Sequence, residues 1–134
     1  MSNIVVLEKV FNNGSRRPIE WNLESNTAEE FDYGNEGIRW KAEVKLVGDE
    51  LTITIPVGSP QFEKDQAWLM PCIFKGKRAV NNGKLVFPGV ETNASGWRDE
   101  YPVEVVSGAE HLGLDISSVS SAADVWPQLH IFKN

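Results

Sequence analysis

Residues 39–55, Arg-Trp-Lys-Ala-Glu-Val-Lys-Leu-Val-Gly-Asp-Glu-Leu-Thr-Ile-Thr-Ile, carry the strongest pattern in the chain. From Trp40 to Leu46, apolar side chains occupy every second position and charged side chains occupy the positions between them. This alternation is typical of a β-strand with one face on a core and the other in water. Turn residues follow at 47–50, and apolar residues then alternate with threonine over 51–55. The stretch therefore predicts a β-hairpin.

Shorter stretches of the same kind, separated by turn residues, continue along the rest of the chain. The further predicted strands are Ile4–Phe11, Pro18–Leu23, Ala67–Lys75, Lys84–Phe87, Tyr101–Val106, Leu112–Ile116 and Gln128–Lys133. Asn81-Asn82-Gly83 predicts a tight hairpin turn. Glu24–Tyr33 is predicted to be a loop or a single turn, because it is polar and acidic. Ser117–Trp126 has too few apolar residues at helical spacing for a stable helix.

This pattern sets the fold class. About nine or ten short strands bounded by Gly, Pro, Asn and Asp predict an all-β antiparallel domain with little helix. We expect a β-sandwich or a jelly-roll-like fold, with a barrel as the other arrangement of such strands. The chain has 134 residues, which is the size of one domain, so residues 1–134 are predicted to form a single unit.

Composition excludes several classes of protein. Hydrophobic residues make up 41% of the chain, which excludes intrinsic disorder. No stretch approaches the roughly 18 apolar residues that a membrane-spanning helix requires. The formal net charge is −6. An acidic chain is disfavoured as a nucleic-acid binder, because the phosphate backbone requires a basic face.

The chemistry of the N-terminus and of cysteine sets an expectation for the compartment. Residues 1–10 lack the basic and long apolar regions of a signal peptide. Cys72 is the single cysteine, so no intrachain disulfide can form. We therefore expect synthesis in the cytoplasm, followed by incorporation into a particle if the protein is an assembly subunit.

Four tryptophans recur at nearly constant spacing. Trp40, Trp68, Trp97 and Trp126 are 28, 29 and 29 residues apart. One interpretation is a repeated strand-turn-strand unit that opens with Trp. The other is that regular strand lengths in an all-β domain place large aromatic residues at regular intervals.

No motif for catalysis, metal binding or cofactor binding stands out. Cys72, His111 and His130 are the only soft or imidazole ligands, and they lack the paired spacing of a zinc site. Cys72 shares a face with Phe74 in a predicted apolar strand, which disfavours a reactive thiolate. We therefore predict no catalytic residue, no metal and no cofactor.

The best candidate contact surface follows the loop at 91–96. Trp97, Arg98, Asp99 and Tyr101, together with Asn93, combine aromatic faces with hydrogen-bonding groups. This is the combination that binds a sugar or a partner protein. In the alternative interpretation, Trp97 begins a strand and packs into the core, and Arg98 pairs with Asp99 outside.

Three functions are compatible with this sequence. The first is a non-enzymatic interaction or assembly subunit, a structural component of a larger particle or appendage such as a virion-type assembly, with a protein partner or self-association. The second is a cytoplasmic lectin-like module that binds carbohydrate through Trp and Asn-rich loops. The third is a small β-barrel enzyme with a ligand cavity that uses carboxylates.

Overall fold

A computed structural model of the chain describes residues 3–31, 39–55, 71–113 and 121. These residues form nine β-strands and one short 3₁₀ helix. The strands are β1 (Ile4–Val10), β2 (Arg16–Asn22), β3 (Thr27–Phe31), β4 (Arg39–Val47), β5 (Glu50–Ile55), β6 (Cys72–Lys77), β7 (Ala79–Asn81), β8 (Lys84–Asn93) and β9 (Arg98–Ser107). The all-β class and the antiparallel pairing predicted from the sequence are confirmed.

The strands follow one another around a closed ring. Each of β1 to β5 pairs with the next strand along the chain, and β9 returns to pair with β1. β6 and β7 both pair with β8, through Gly76 opposite Gly89 and Ala79 opposite Val86. β7 therefore shares one position in the ring with β6, and the nine strands make a closed eight-stranded antiparallel barrel.

The expectation of a sandwich or a jelly roll is corrected by this closure. A sandwich holds two separate sheets face to face, whereas here the pairing of Lys9 with Val103 joins the first strand to the last. Inner and outer residues alternate along every strand of a barrel, as they do in a sandwich. The period of two therefore predicts the strands correctly in both folds and does not distinguish between them.

The inner side chains of the barrel form the main hydrophobic core. Residues at alternate positions are buried there, such as Val5 and Leu7 of β1 and Leu51, Ile53 and Ile55 of β5, as the alternation of a pleated strand requires. The buried core residues are Val5, Leu7, Ile19, Trp21, Ala28, Ala42, Val44, Leu51, Ile53, Ile55, Phe74, Leu85, Phe87, Tyr101, Val103 and Val105. The hairpin predicted over 39–55 is confirmed as β4 and β5, and Ala42, Val44, Leu51, Ile53 and Ile55 are buried in this core.

Two strands were not predicted from the sequence, the short strand β7 (Ala79–Asn81) and β3. β3 lies inside the stretch 24–33, for which a loop or turn was expected, and it pairs with both β2 and β4. Its sequence, Thr-Ala-Glu-Glu-Phe, places two adjacent glutamates in the strand and so breaks the alternation. Ala28 is buried. Pairing with two neighbouring strands makes this segment a strand in spite of its weak local preference.

The region after β9 also differs from the expectation. Leu112 was predicted to begin a strand, but Ala109–Leu112 is a 3₁₀ helix flanked by Gly108 and Gly113, both with positive φ. The rest of that predicted strand lies outside the described residues. So do the predicted strand Gln128–Lys133 and two of the four tryptophans, Trp68 and Trp126. The tryptophan repeat therefore stays a prediction.

Candidate binding site at one end of the barrel

One end of the barrel carries most of the chemically distinctive residues. β1 and β8 end there, at Val10 and Asn93, and β2 and β9 begin there, at Arg16 and Arg98. We call it the Trp97 end, because Trp97 lies on the tip of the β8–β9 hairpin and is 43% exposed.

Three polar side chains are buried inside the barrel near this end. Lys9 follows the inward alternation of Val5 and Leu7, and only 1% of it is exposed. Its Nζ lies 3.0 Å from Oε1 of Glu91, which is also buried. The hydroxyl of Tyr101, a fully buried residue, donates to the same Oε1 atom. We call these three residues the ionic cluster.

Aromatic rings hold Tyr101 in place. The ring of Phe74 is stacked on it, with centroids 5.1 Å apart, and the ring of Phe11 is tilted against it at 4.8 Å. Lys9 Nζ lies 5.9 Å from the Tyr101 centroid, and the guanidinium of Arg17 lies 5.4 Å from the Phe11 centroid. These contacts restrict the Tyr101 ring to one orientation, so its hydroxyl is presented to Glu91.

The ionic cluster is not explained by stability. Burying a charged group costs several kcal/mol of hydration free energy, in order of magnitude. The attraction between two buried charges of opposite sign seldom exceeds the combined cost of burying them. Apolar side chains of similar size at the same positions would pack without this cost. A large net contribution of the cluster to stability is therefore not expected, although loss of one partner alone would leave a buried charge unpaired.

Asp99 adds a second carboxylate on the inner face. It lies directly opposite Glu91 in the pairing of β8 with β9. Burial raises the pKa of Asp99, and the Glu91 and Glu100 carboxylates raise it further, against the opposing effect of the Glu100 backbone N–H that donates to it. Within the described ranges, no Lys or Arg is in ion-pair contact with Asp99. Its negative charge is therefore not compensated by a described cation.

Replacing Asp99 by asparagine tests this assignment. A carboxyl group whose pKa is raised by folding stabilises the fold when protonated, and this contribution is lost as the pH rises through the folded-state pKa. Asp99→Asn is thus expected to raise the free energy of unfolding at pH 7, by less than about 0.5 kcal/mol because the group is partly solvated. Urea unfolding of both proteins between pH 4 and pH 7 measures the difference. A loss of stability at pH 7 would contradict the assignment.

The tip of the β8–β9 hairpin is organised by Asn93. Its Oδ1 accepts hydrogen bonds from the backbone N–H of Ser95 at 3.0 Å, from the Ser95 hydroxyl at 2.6 Å and from the backbone N–H of Trp97 at 3.2 Å. Gly96 has φ +91°, a left-handed conformation that favours glycine. Asn93 therefore positions the backbone of Trp97.

The five residues predicted as one contact surface are divided by the fold. Trp97 is exposed at the rim of the barrel, and Arg98 points outward, where it pairs with Glu100 at 2.9 Å. Asp99 and Tyr101 lie on the inner face, and Tyr101 is fully buried. The Oδ1 atom of Asn93 is used within the turn. The alternative in which Arg98 pairs with Asp99 does not occur either.

Lys9 and Glu91 were missed by the sequence analysis. Each is a charged residue at a position that alternation assigns to the inner face: Lys9 after Val5 and Leu7, and Glu91 after Leu85 and Phe87. A charged residue at an inward-facing position is the feature of the sequence that could have indicated these two residues.

Comparison of the chain with family models, curated proteins and solved structures finds no match. Across the part of the chain that the structure describes, no group of three or more His, Cys, Asp or Glu residues is arranged to hold a metal ion. No helix among the same residues has the length and apolar character needed to span a membrane.

Proposed function

We propose that this barrel is a non-catalytic module that binds a small polyhydroxylated ligand, of the carbohydrate class, at the Trp97 end. The observation that carries the proposal is the buried ionic cluster of Lys9, Glu91 and Tyr101 at the same end as a half-exposed tryptophan. An eight-stranded barrel is either filled by its own side chains or holds one small ligand. The mouths of such barrels are common ligand sites.

The rim supplies the two kinds of contact that a sugar requires. Trp97 offers an exposed aromatic ring, on which the apolar face of a sugar can stack. Asp99, two residues further along the chain, supplies a carboxylate on the inner face for hydroxyl groups. Polar groups beside an aromatic ring fix the orientation of the ligand and provide specificity.

The charges near the site disfavour an anionic ligand. The positive charge of Lys9 is neutralised by Glu91, and that of Arg98 by Glu100. An anionic ligand would have to compete with these carboxylates. Hydroxyl groups both donate and accept hydrogen bonds, so they can pair with Asp99 in either protonation state.

The enzyme hypothesis has less support. General acid-base catalysis requires a group that can reach the substrate and exchange a proton with it. Glu91 is buried, and its Oε1 atom already accepts hydrogen bonds from both Lys9 and Tyr101. Binding without reaction is therefore the better account of this carboxylate.

Calorimetric titration with neutral mono- and oligosaccharides tests the proposal. Saturable binding is expected for at least one sugar, and Trp97→Ala is expected to weaken it about tenfold or more through the loss of the stacking face. Val47→Ala is the matched control, because Val47 is 75% exposed and is the last residue of β4, at the end of the barrel away from Trp97. The proposal fails if no neutral sugar binds, or if the two variants bind equally well.

A protein partner is the second candidate, and the exposed pair Trp97 and Arg98 favours it. Tryptophan and arginine are the usual anchors of protein interfaces. Closure of the ring pairs both edges of β1, β6, β8 and β9, which disfavours assembly by addition of a strand. Contact would then be made by side chains at the rim. Sedimentation at several concentrations distinguishes the two candidates, because self-association predicts a mass that rises with concentration and falls in Trp97→Ala.

A further inference from the structure

Trp21 carries an unsatisfied hydrogen-bond donor inside the barrel. The residue is 5% exposed, and its indole N–H is fully buried. No atom of the described residues accepts a hydrogen bond from this nitrogen. Leaving such a donor unpaired in a protein interior costs about 1–3 kcal/mol. A buried phenylalanine would fill much of the same space without that cost.

The cross-strand partners of Trp21 have no side chain that could accept a hydrogen bond. Trp21 lies opposite Val5 on β1 and opposite Ala28 on β3, and Ala28 lies opposite Ala42 on β4. All three neighbours are buried and apolar, and the two alanines are the smallest side chains in the core. The wall of the barrel at this level therefore combines small side chains with one unpaired donor.

Among the described residues, the polar side chains of the ionic cluster are also buried inside the barrel, but they are paired with one another. Lys9 and Glu91 form an ion pair, and Tyr101 donates to Glu91. Trp21 lies opposite Val5 on β1, and Val5 is four residues before Lys9 on the same strand. At about 3.3 Å per residue, this separation is about 13 Å. The backbone of Trp21 is thus well separated from that of Lys9, and the indole N–H makes no hydrogen bond to the ionic cluster.

We propose that Trp21, with Ala28 and Ala42, forms a second ligand site inside the barrel, in which the indole N–H donates to the carbonyl oxygen of a compact apolar molecule. The ligand is uncharged, because none of the described residues at this level is a cation that would neutralise a carboxylate. It enters by displacing packed side chains, since the indole nitrogen is sealed from solvent in the closed barrel. This site is independent of the carbohydrate site proposed at the Trp97 end.

Cyclohexanone and methylenecyclohexane are suitable probes, because they have nearly the same shape and only the ketone has an acceptor oxygen. In a ¹H–¹⁵N spectrum, the indole N–H resonance of Trp21 is expected to move downfield, and saturably, with cyclohexanone. Methylenecyclohexane is expected to move it little. Replacement of Trp21 by phenylalanine is expected to reduce the preference for the ketone over the alkene about tenfold, since one buried hydrogen bond is lost.

Each outcome decides the proposal. A Trp21 resonance that stays in place with both probes, or that moves equally with both, overturns it. Magnetisation transfer from a long-lived water to the indole N–H, in the absence of probe, also overturns it, because the donor is then already satisfied. If Trp21→Phe does not fold, the response of the wild-type resonance still decides. Trp97→Ala serves as the matched variant and is expected to retain the Trp21 response, even if no sugar binds at the rim.

Discussion

Lys9→Met is expected to lower the free energy of unfolding by about 3–5 kcal/mol, the largest effect of any substitution proposed for this protein. The variant keeps the length and the apolar stem of the side chain but leaves the Glu91 carboxylate buried without its cation. Removing one partner of a buried ion pair costs far more than the pair contributes. Urea unfolding followed by circular dichroism measures the loss. Lys45→Met, at an exposed position of β4, is the control and is expected to change stability by less than about 0.5 kcal/mol.

A triple variant separates a structural role of the ionic cluster from a functional one. Lys9→Met, Glu91→Leu and Tyr101→Phe together remove every polar group of the cluster and keep the volume similar. The triple variant is expected to recover stability to within about 1–2 kcal/mol of the wild type, because neither charge of the Lys9–Glu91 pair then stays buried without the other. If the cluster supports ligand binding, the stable triple variant loses affinity for the sugar. Unchanged affinity would show that the cluster is structural. A loss of less than about 1 kcal/mol in Lys9→Met alone would show that the pair is not formed.

Turn chemistry was predicted well, because it depends on few residues. Asn82 and Gly83 both have positive φ, as the Asn-Gly sequence at the β7–β8 turn predicts. Asn13 and Asn93 each begin a turn with the sequence Asn-x-Ser, and in both turns the Asn Oδ1 accepts hydrogen bonds from the backbone N–H and the hydroxyl of the serine two residues later. Such turns form from local contacts and need no information from the rest of the fold.

The arrangement of the strands was beyond the reach of the same reasoning. The ring closes where Lys9 pairs with Val103 and where Gly76 pairs with Gly89. The alternation of apolar and polar residues shows which side chains share a face of one strand. It does not show which other strand lies beside it. Strand order in an all-β protein rests on contacts between residues far apart in the chain, which a single sequence does not display.

The candidate site shows the same division. Lys9 and Glu91 are 82 residues apart, so their pairing could not be predicted, although the inward position of each charge could. The contact surface was predicted from consecutive residues that begin at Trp97. Consecutive residues of a strand point to opposite faces. Because this stretch forms β9, the side chains of Arg98 and Asp99 lie on opposite faces of the sheet.

Gly89→Ala is expected to weaken the closure of the barrel and to cost about 3 kcal/mol of stability. A Cβ atom at Gly89 would lie 2.5 Å from Cζ of Phe74 and 2.8 Å from Cα of Gly76, and it would also collide with the backbone oxygen of Lys75. Two of these atoms belong to the backbone of β6, so no side-chain rotation relieves the contact. β6 and β8 must move apart at the point where they close the ring.

Gly89 contributes to the closure of the ring and also lies next to a residue of the ionic cluster. Gly89 lies opposite Tyr101 on β9 and opposite Gly76 on β6, and Phe74 stacks on Tyr101. Gly89→Ala is therefore expected to accelerate amide exchange in β6 and to disturb the Tyr101 ring, in addition to lowering the urea midpoint. Gly48→Ala is the control, because its Cβ would meet no atom within 4 Å and its cost, about 1–2 kcal/mol, arises only from a φ of +60°. If Gly89→Ala is no more destabilising than Gly48→Ala, β6 and β8 are not held as closely in solution as the barrel requires.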